Sequence, residues 1–514
     1  MRFFSKYFVL ALFIFGCSQK AEVSIDGGVY DSLIFGGIVI DGTGTPGKKV
    51  DLLIRGDRIV AIGRIDTTQI TVKEHIDVRG RVVTPGFIDI HAHGNPTRTP
   101  EFQNFTTMGI TTIVLGQDGS SPGNISEWMK QVEEARPALN IATLIGHGTV
   151  RNQAEVKLNP NPSSQDLQNM TRLVEQGLEA GCFGLSTGLE YQPGSLANME
   201  ELVSIALPVG EHGSIVQSHL RSEDDDVVQA SIAELIDQGE RGKCAVHVSH
   251  IKVVYGRGVG RAEDILSQMD EARRKGIHIT ADFYPYTASY TGIGIVFPDW
   301  VKPPHNYAEV MGSRRTELSE YLRRRVNQRN GPESTLFGTG SWAGRTLSQI
   351  AEDLGKPFED VLMDDIGPRG AGAAYFVMDQ ELQDRLIVDP HVMICSDGSP
   401  TMRHPRGYGA FAKVIRYYVR ETQMLSLEEA IHKMTGLPAE TMGLVDMKRG
   451  LLKPGFYADV LVFDPDQVYD KATYENPHQL AEGFDWIIVN GTVVRAEGRF
   501  TGSRGGMVLR RGVR

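Results

Sequence analysis

The sequence predicts an α/β protein: a (β/α)8 barrel, a small β-sandwich built from both termini, and an insertion between the seventh and eighth barrel strands. Eight short apolar runs alternate with longer amphipathic segments, and buried parallel strands have such near-continuous apolar sequences. Short strand-like segments with Gly and Asp turns flank this region on both sides. A chain of 514 residues is long enough for a barrel with an accessory domain.

The eight apolar runs are the expected barrel strands, because eight strands that alternate with helices are typical of this architecture. Helix-like segments such as NISEWMKQVEEAR lie between them, and serines and glycines mark several helix ends. A doubly wound open sheet is the alternative, but no glycine-rich fingerprint follows the first strand. The runs span residues 82–94, 111–119, 140–148, 183–191, 214–221, 244–252, 278–286 and 391–399.

The flanking regions predict the remaining domains. Residues 31–81 and 446–514 contain similar short strand patterns and are expected to form the two parts of one sandwich, with the barrel over residues 82–445. The stretch over about 289–390 is too long for a connecting loop and contains its own helix-like segment. We therefore expect an insertion over the mouth of the barrel.

The N-terminal sequence MRFFSKYFVLALFIFGC is typical of an export signal. It has a basic start, an apolar core and a small residue before Cys17, and it is too short to span a membrane as a helix. Because IFGC resembles a bacterial lipobox, we predict a signal peptide over 1–16, lipidation at Cys17 and a tether over 17–30. Ser18 at the next position indicates an outer-membrane lipoprotein that faces the periplasm. A plain secretory signal with an incidental cysteine is the alternative.

The composition excludes one class of partner. A net charge of −11 argues against nucleic-acid binding, which requires a basic surface. Membrane association is expected only through the lipid anchor. Cys182, Cys244 and Cys395 lie in apolar runs, so we expect buried free thiols and no disulfide framework.

Residues that bind metals stand at the predicted carboxyl ends of the barrel strands, where the chemistry of such barrels takes place. Imidazole and carboxylate together suit zinc or a similar divalent ion, and an open coordination position would make the ion catalytic. The polar residues at these ends, in strand order, are His91 and His93, Asp118, His147, Glu190 and Tyr191, His219, His250, Tyr284 and Tyr286, and Asp397.

Several motifs resemble those of the amidohydrolase superfamily. These are GFIDIHAH, a histidine at the end of strands five and six, and an aspartate at the end of strand eight. The segments STGLEYQPGSLANMEEL, SHLRSE, VSHIK, DFYPYTAS, SDGSPTMRHPRGYGAF and ADVLVFDP resemble, more specifically, the N-acyl-D-amino-acid deacylases, or D-aminoacylases. The likeness runs from about residue 31 to about residue 495, and residues 298–386 are its least typical part.

The resemblance implies a TIM-like barrel enzyme that hydrolyses the amide bond of N-acyl-D-amino acids with one or two divalent ions, such as zinc. Metal-activated water would be the nucleophile. His219 and His250 would hold the tighter metal, and His91, His93 and Asp397 would line a second site. Asp397 would be the general base and would return the proton to the leaving amine, which agrees with the ordinary role of a carboxylate beside a metal.

The resemblance also implies roles on the substrate side. Tyr191 would polarise the scissile carbonyl, as in an oxyanion hole. Lys252, Tyr284 and Arg406 would bind the α-carboxylate of the substrate, and a guanidinium suits this role because its fork matches a carboxylate bidentately. We call these three residues the carboxylate clamp.

One position departs from the family pattern. Family members commonly have GNCG where this chain has GQDG, so Asp118 replaces a cysteine that ligates the metals. A carboxylate also bridges two ions, although it is a harder ligand than a thiolate. Glu190 is the alternative bridging ligand, because related enzymes use a carboxylate or a carboxylated lysine from strand four, and FGLSTGLEY contains no lysine.

Other assignments have alternatives as well. His147 is expected either to bind substrate or to support other site residues by a hydrogen bond, and Arg221 is expected to pair with Glu223. A dipeptidase or a cyclic-amide hydrolase of the dihydroorotase or hydantoinase type is the alternative enzyme. A surface lipoprotein that binds ligands without catalysis is the alternative from another class. The complete set of metal-binding residues favours an enzyme that acts on a small molecule.

Overall fold

The computed structural model describes residues 25–512. The predicted signal peptide and Cys17 lie outside this range. The predicted tether over 17–30 is too long, because the first strand begins at Val29 and Tyr30 is already buried in the sheet. No helix within residues 25–512 has the length and apolar character needed to cross a membrane.

Residues of the N-terminal region form strands of two sheets that pack face to face. The four-stranded sheet has the order β4-β3-β1-β5, and β2 and β6 join a second sheet with strands from the C-terminal region. The strands are β1 (Val29–Phe35), β2 (Ile38–Val39), β3 (Asp51–Arg55), β4 (Arg58–Gly63), β5 (Thr71–Asp77) and β6 (Val82–Pro85).

The eight predicted runs form a parallel barrel, which confirms the predicted fold class. The third barrel strand is bent into β9 and β10. A parallel bridge from Ala92 to Gly398 joins the first strand to the last. The barrel strands are β7 (Phe87–Asp89), β8 (Ile110–Leu115), β9 (Asn140–Thr143), β10 (Ile145–Gly146), β11 (Gly184–Gly188), β12 (Ile215–His219), β13 (Ala245–Val248), β14 (Ile279–Phe283) and, after the insertion, β18 (Val392–Ile394).

Helices surround the barrel and cover it with their apolar faces. In the helix over Ser164–Glu179, Ser163 and Asp166 form a capping box at the N-terminus, and buried residues recur at helical spacing along one side. The helices of the first six units are α1 (Gln103–Thr106), α2 (Ile125–Ala135), α3 (His147–Gln153), α4 (Ser164–Glu179), α5 (Met199–Glu211), α6 (Val228–Gly242) and α7 (Gly258–Arg274), with a 3-10 turn at Gly194–Leu196.

The insertion follows β14 and has its own sheet and apolar core. Its sheet has the order β15-β17-β16, with β15 (Ser289–Gly292), β16 (Thr335–Phe337) and β17 (Gly372–Tyr375). Its helices are α8 (Tyr307–Ser313), α9 (Arg315–Gln328), α10 (Leu347–Leu354) and α11 (Phe358–Asp360), with 3-10 turns at Ile293–Val296, Asp299–Val301 and Pro332–Ser334 and a π-helix at Val361–Ile366.

The predicted end of the insertion, at about residue 390, is too late. Helix α12 (Gln380–Val388) packs against α7 and β18 and is therefore the barrel's own crossover helix. Amphipathic helices have the same sequence pattern in an insertion and in a barrel. The local sequence therefore does not show where the insertion ends. The remaining helices are α13 (Arg406–Lys413), a π-helix at Val414–Glu421, α14 (Leu427–Met434) and α15 (Gly436–Thr441).

The C-terminal region completes the second sheet of the sandwich, which has the order β2-β6-β19-β20-β21-β22. Its strands are β19 (Val460–Phe463), β20 (Phe484–Val489), β21 (Thr492–Ala496) and β22 (Arg499–Phe500). The boundary predicted at residue 82 falls inside this sheet, because β6 pairs with β19 and the barrel begins at Phe87. The last part of the predicted sandwich region instead lies along β9, where the Ile141 amide donates to the Met507 carbonyl at 2.8 Å.

A buried polar cluster around Asp459 joins the sandwich to the barrel. Its carboxylate accepts hydrogen bonds from Arg449 Nη1 at 2.5 Å, the Asn490 amide at 2.8 Å and Asn140 Nδ2 at 3.1 Å. Asn140 begins the third barrel strand, and the Gly86 amide beside the first strand donates to the Asp459 carbonyl at 2.9 Å. One carboxylate therefore satisfies donors from both domains.

We expect Asp459→Ala to lower the free energy of unfolding by about 3–5 kcal/mol, because it leaves the buried Arg449 guanidinium without its counter-ion. Urea unfolding monitored by circular dichroism measures the change. The exposed Asp466 provides the control, and Asp466→Ala should change stability by less than about 0.5 kcal/mol. A loss below about 1 kcal/mol for Asp459→Ala would contradict the role of this cluster.

Candidate metal centre

Side chains that could bind metals converge at the carboxyl ends of the barrel strands in three overlapping groups, of which the third consists of Glu190, His219 and Glu223. Within each group the ligand atoms lie within 4.8 Å of one another. Asp118 belongs to the first two groups. The first consists of His91, His93, Asp118 and Asp397, and the second of Asp118, His219 and His250. The structure thus brings together all six residues that the sequence singled out as metal ligands.

The Asp118 carboxylate lies between the histidines of the first two groups. Its Oδ1 is 3.5 Å from His91 Nε2 and 3.7 Å from both His219 Nδ1 and His250 Nε2. Its Oδ2 is 3.4 Å from His93 Nε2. Two ligands bound tetrahedrally at about 2.1 Å from one ion lie about 3.4 Å apart, so these separations suit a shared cation.

Unpaired polar atoms support the same interpretation. Both ring nitrogens of His91 and Oδ1 of Asp118 are buried and have no hydrogen-bond partner among the described residues. Buried polar atoms are normally paired, because leaving one unpaired costs about 1–3 kcal/mol. The residues present therefore fit a divalent cation, which would supply the missing partner.

The backbone at these strand ends is strained. Asp118, His250 and Asp397 have φ values of 54°, 36° and 45°, in the left-handed region that residues other than glycine rarely adopt. Gly119 also has a positive φ, and a Cβ at this position would lie 2.9 Å from the Gly188 amide nitrogen. Such strain persists where the surrounding structure fixes it, and it is concentrated at functional sites.

Two carboxylates orient the histidines of the second group. Glu190 Oε2 is 3.0 Å from His219 Nε2, the ring nitrogen that does not face Asp118. Glu223 Oε1 is 3.0 Å from His250 Nδ1, which likewise leaves Nε2 directed at Asp118. A carboxylate in this position fixes the tautomer and the direction of a metal-binding imidazole. The geometry thus favours Asp118 over Glu190 as the residue between the first two groups.

Asp282 lies beneath the site and was missed by the sequence reasoning. Its buried carboxylate is 2.9 Å from His247 Nε2 and 3.6 Å from His91 Nδ1, and it accepts the His250 backbone amide. Burial raises its pKa, but the contacts with His247 and His91 outweigh burial and hold the pKa well below the usual range. An aspartate inside the apolar run HITADFYPY was the available signal.

The charges of the site are strongly coupled. Burial opposes the charge of Asp397, but Arg406 and the neighbouring histidines outweigh burial and lower its pKa. Arg406 Nη1 is 2.9 Å from Asp397 Oδ2. Burial also opposes protonation of His93, yet Asp118 and Asp397 raise its pKa to about 8. In the absence of a metal, ionised carboxylates and protonated imidazoles therefore balance one another here.

Known proteins resemble the chain over nearly its whole length. N-acyl-D-glutamate deacylase of Alcaligenes xylosoxydans xylosoxydans is 35% identical, and the alignment covers 94% of this chain and 96% of that protein. An amidohydrolase family profile matches residues 382–495. The chain belongs to the D-aminoacylase family of amidohydrolases.

Solved structures of this family match the fold. N-acyl-D-glutamate deacylase from Bordetella bronchiseptica, in complex with zinc and a phosphonate that mimics the tetrahedral intermediate, superposes with a TM-score of 0.80 at 33% identity. That match covers 94% of this chain and 99% of the other. A D-aminoacylase studied for its binuclear metal centre has a TM-score of 0.81 at 32% identity and covers 94% of this chain and 100% of its own.

The three residues of the predicted carboxylate clamp line a cavity of about 250 Å³ in this D-aminoacylase-family chain. The cavity lies next to the metal-binding groups. The Arg406 guanidinium lies 4.5 Å from the centre of the Tyr284 ring, and the buried Tyr284 hydroxyl has no partner among the described residues. Lys252 Nζ donates to Glu223 at 2.6 Å. Tyr191, on another wall, accepts a hydrogen bond from Thr291 Oγ1 at 3.2 Å.

His147 does not line this cavity. It is fully buried, and its Nε2 is 2.7 Å from Glu201 Oε1, which also accepts a hydrogen bond from Arg151 at 2.8 Å. Of the two expectations for His147, the structure favours the supporting role.

The predicted pair of Arg221 and Glu223 is wrong. Arg221 instead binds Glu234 at 2.9 Å, while Glu223 contacts Lys252 and His250. Glu223 is buried and Arg221 is half-buried, so the two residues have different surroundings although only one residue separates them. A carboxylate four residues after a ligand histidine was the signal for Glu223, but its direction depends on the loop.

We expect Asp118→Ala to reduce the zinc bound per chain, because Asp118 is the carboxylate shared by the first two groups of ligands. Glu190→Ala provides the comparison at the other candidate carboxylate and should reduce zinc less, because Glu190 orients one histidine and is not shared by the first two groups. Asp118→Cys, which restores the sulfur ligand of the family pattern, should also bind zinc. Inductively coupled plasma mass spectrometry of zinc-loaded protein measures all three, and unchanged zinc content in Asp118→Ala would rule out this position as a ligand.

Proposed function

We propose that the chain is a metal-dependent hydrolase that cleaves the amide bond of N-acyl-D-amino acids. The observation that supports this most directly is a two-group metal site with a shared carboxylate, set beside three side chains suited to a carboxylate. Both N-acyl-D-glutamate deacylases named above act, by their names, on an N-acyl-D-amino acid. The completeness of the ligand set argues against a protein that only binds ligands.

In this proposal one divalent ion, zinc or a similar metal, is held by His219, His250 and Asp118. The residues His91, His93, Asp118 and Asp397 line the second position. A divalent ion in such a site lowers the pKa of water and polarises a carbonyl oxygen.

Asp397 is the proposed general base. Its low pKa keeps the carboxylate ionised at neutral pH, so it is ready to accept a proton from the attacking water. Arg406 fixes one carboxylate oxygen, while the other lies 3.2 Å from His93 Nε2 and faces the metal-binding groups. The same carboxyl group then delivers the proton to the leaving amine nitrogen.

Tyr191 is the proposed hydrogen-bond donor to the carbonyl oxygen. Burial, and next the charges of Glu190 and Asp118, raise its pKa well above the ordinary value, so the hydroxyl keeps its proton. Because Thr291 donates to this hydroxyl, its own proton is free to point at the substrate. A donor placed before the reaction stabilises the negative charge that develops on the oxygen.

Arg406, Lys252 and Tyr284 are proposed to bind the substrate α-carboxylate. Arg406 has donors to spare, since its buried Nε has no partner among the described residues. The Tyr284 hydroxyl, also without a partner, lies in the same cavity. Attachment at both the carbonyl and the carboxylate fixes two points of the substrate, and the position of the side chain then distinguishes D from L amino acids.

We expect zinc-loaded protein to hydrolyse N-acetyl-D-amino acids and to leave the L enantiomers unchanged. Asp397→Asn should lower kcat by about 10²–10⁴-fold, because it removes general-base catalysis. Amine release measures the rates, and the zinc content of the variant provides the control for an intact site. The panel also includes dipeptides with a D residue, hydantoins and dihydroorotate.

Preferred hydrolysis of the dipeptides or of the cyclic amides would assign the alternative enzyme class. A metal-loaded protein that is inactive on the whole panel would favour the binding protein. Near-full turnover by Asp397→Asn would remove Asp397 as the base.

We further propose that the chain is exported as a lipoprotein, anchored to the outer membrane through Cys17 and facing the periplasm. The basic start, apolar core and IFGC ending of its first 17 residues support this proposal.

We expect Cys17→Ser expressed in a Gram-negative host to lose the lipid and to leave the membrane fraction. Mass spectrometry of the N-terminal peptide and immunoblots of cell fractions measure the two effects. Cys182→Ser provides a control, because this cysteine is buried in the barrel region and should not affect fractionation. Equal fractionation of Cys17→Ser and the native chain would contradict the anchor.

A further inference from the structure

A second and larger cleft opens beside the catalytic cavity. Its volume is about 980 Å³, and it meets the catalytic cavity at Glu190, Tyr191, Thr291 and Ile295, which line both spaces. The carboxylate clamp lines the catalytic cavity alone. The two spaces therefore meet at Tyr191, and the clamp belongs only to the catalytic cavity.

The walls of the cleft come from the loop after β11 and from the insertion. Gln192 Nε2 donates to the Pro303 carbonyl at 2.7 Å and ties the two walls together. Arg221 donates to the carbonyl oxygens of Ser195 and Ala197 at 2.8 Å and 2.9 Å and fixes the loop from below. These contacts give the cleft a defined shape.

The aromatic part of the cleft suits an uncharged, apolar group. Phe297, Trp300 and Tyr321 contribute aromatic rings. Three of its four cationic side chains are already paired with carboxylates. These pairs are Arg221 with Glu234, Lys302 with Asp299, and Arg325 with Asp224. The fourth cation, Arg369, is exposed.

We propose that this cleft binds the acyl part of the substrate and that the preferred acyl group is an extended apolar chain, much longer than acetyl. The inference rests on the proposed function, which places the scissile carbonyl at Tyr191 and the α-carboxylate in the clamp. The acyl chain leaves the carbonyl carbon opposite the amide nitrogen, and the cleft meets the catalytic cavity at Tyr191 while the clamp residues do not line it. Its volume is at the upper end of small-molecule sites, far beyond the needs of an acetyl group.

The test keeps one D-amino acid constant and varies the acyl group from acetyl through hexanoyl to decanoyl. Each methylene that leaves water for an apolar wall stabilises the bound state. We expect kcat/KM of the zinc-loaded, full-length enzyme to rise at least about ten-fold from acetyl to decanoyl.

Two variants assign this preference to the cleft. Trp300→Ala and Tyr321→Ala should each lower the ratio of decanoyl to acetyl kcat/KM several-fold, with acetyl turnover retained. Trp342 offers a matched control, because it is a half-buried tryptophan of the same insertion that does not line the cleft. Trp342→Ala should leave the ratio unchanged. Retained acetyl turnover shows that the variants fold.

The results that overturn the inference differ from those that overturn the proposed function. Equal kcat/KM for acetyl and decanoyl substrates overturns the inference alone. A change in preference among D side chains at constant acetyl, caused by Trp300→Ala, assigns the cleft to the side chain and also overturns it. If the enzyme prefers peptidyl over decanoyl acyl groups, the cleft binds a polar group, and the inference is overturned. Hydrolysis of no N-acyl-D-amino acid overturns both.

Discussion

The closure of the barrel between its first and last strands is the constraint on which the site depends. The Asp397 amide donates to the His91 carbonyl at 2.9 Å, and the His93 amide donates to the Gly398 carbonyl at 2.8 Å. These bonds join the strands at the residues that carry the proposed ligands. Any change in how the barrel closes would therefore move the proposed base relative to the first two histidines.

Closure alone would bring like charges and unpaired polar groups together. The site therefore needs buried side chains that balance these charges and pair with these groups. Asp282 lies against the histidines from below and Arg406 contacts Asp397 from the side. The Asp118 carboxylate occupies the centre, in a backbone conformation that aspartate tolerates better than most residues. In the proposed site, aspartate in place of the cysteine implied by the family resemblance would be a harder ligand and would favour ions that prefer oxygen.

The sequence predicted the fold class and the polar residues at the strand ends because both depend on a short-range rule: strand, then polar residue at the carboxyl end. The choice of ligands among those residues came from the family resemblance. The sequence did not predict the orienting role of Glu223 or Asp282, since the direction of these side chains is set by neighbours 27 and 35 residues away. It also placed the start of the barrel inside β6. The apolar runs on both sides of Gly86 have the sequence pattern of a single strand. In the structure the chain passes at Gly86 from one sheet to another, and a Cβ at this position would lie 2.1 Å from Thr111 Oγ1.

Substrate specificity was the hardest property to predict from the sequence, and the insertion shows why. Its strand β15 provides Thr291, which donates to Tyr191, and its next turn provides Ile295 and one wall of the neighbouring cleft. The residue that orients the proposed carbonyl donor and the surface that would contact the acyl chain therefore belong to one continuous segment. A group that fills the cleft would contact the segment that also positions Tyr191. Binding energy from the acyl chain can then act on the reacting carbonyl and raise kcat, rather than only strengthen binding of the substrate.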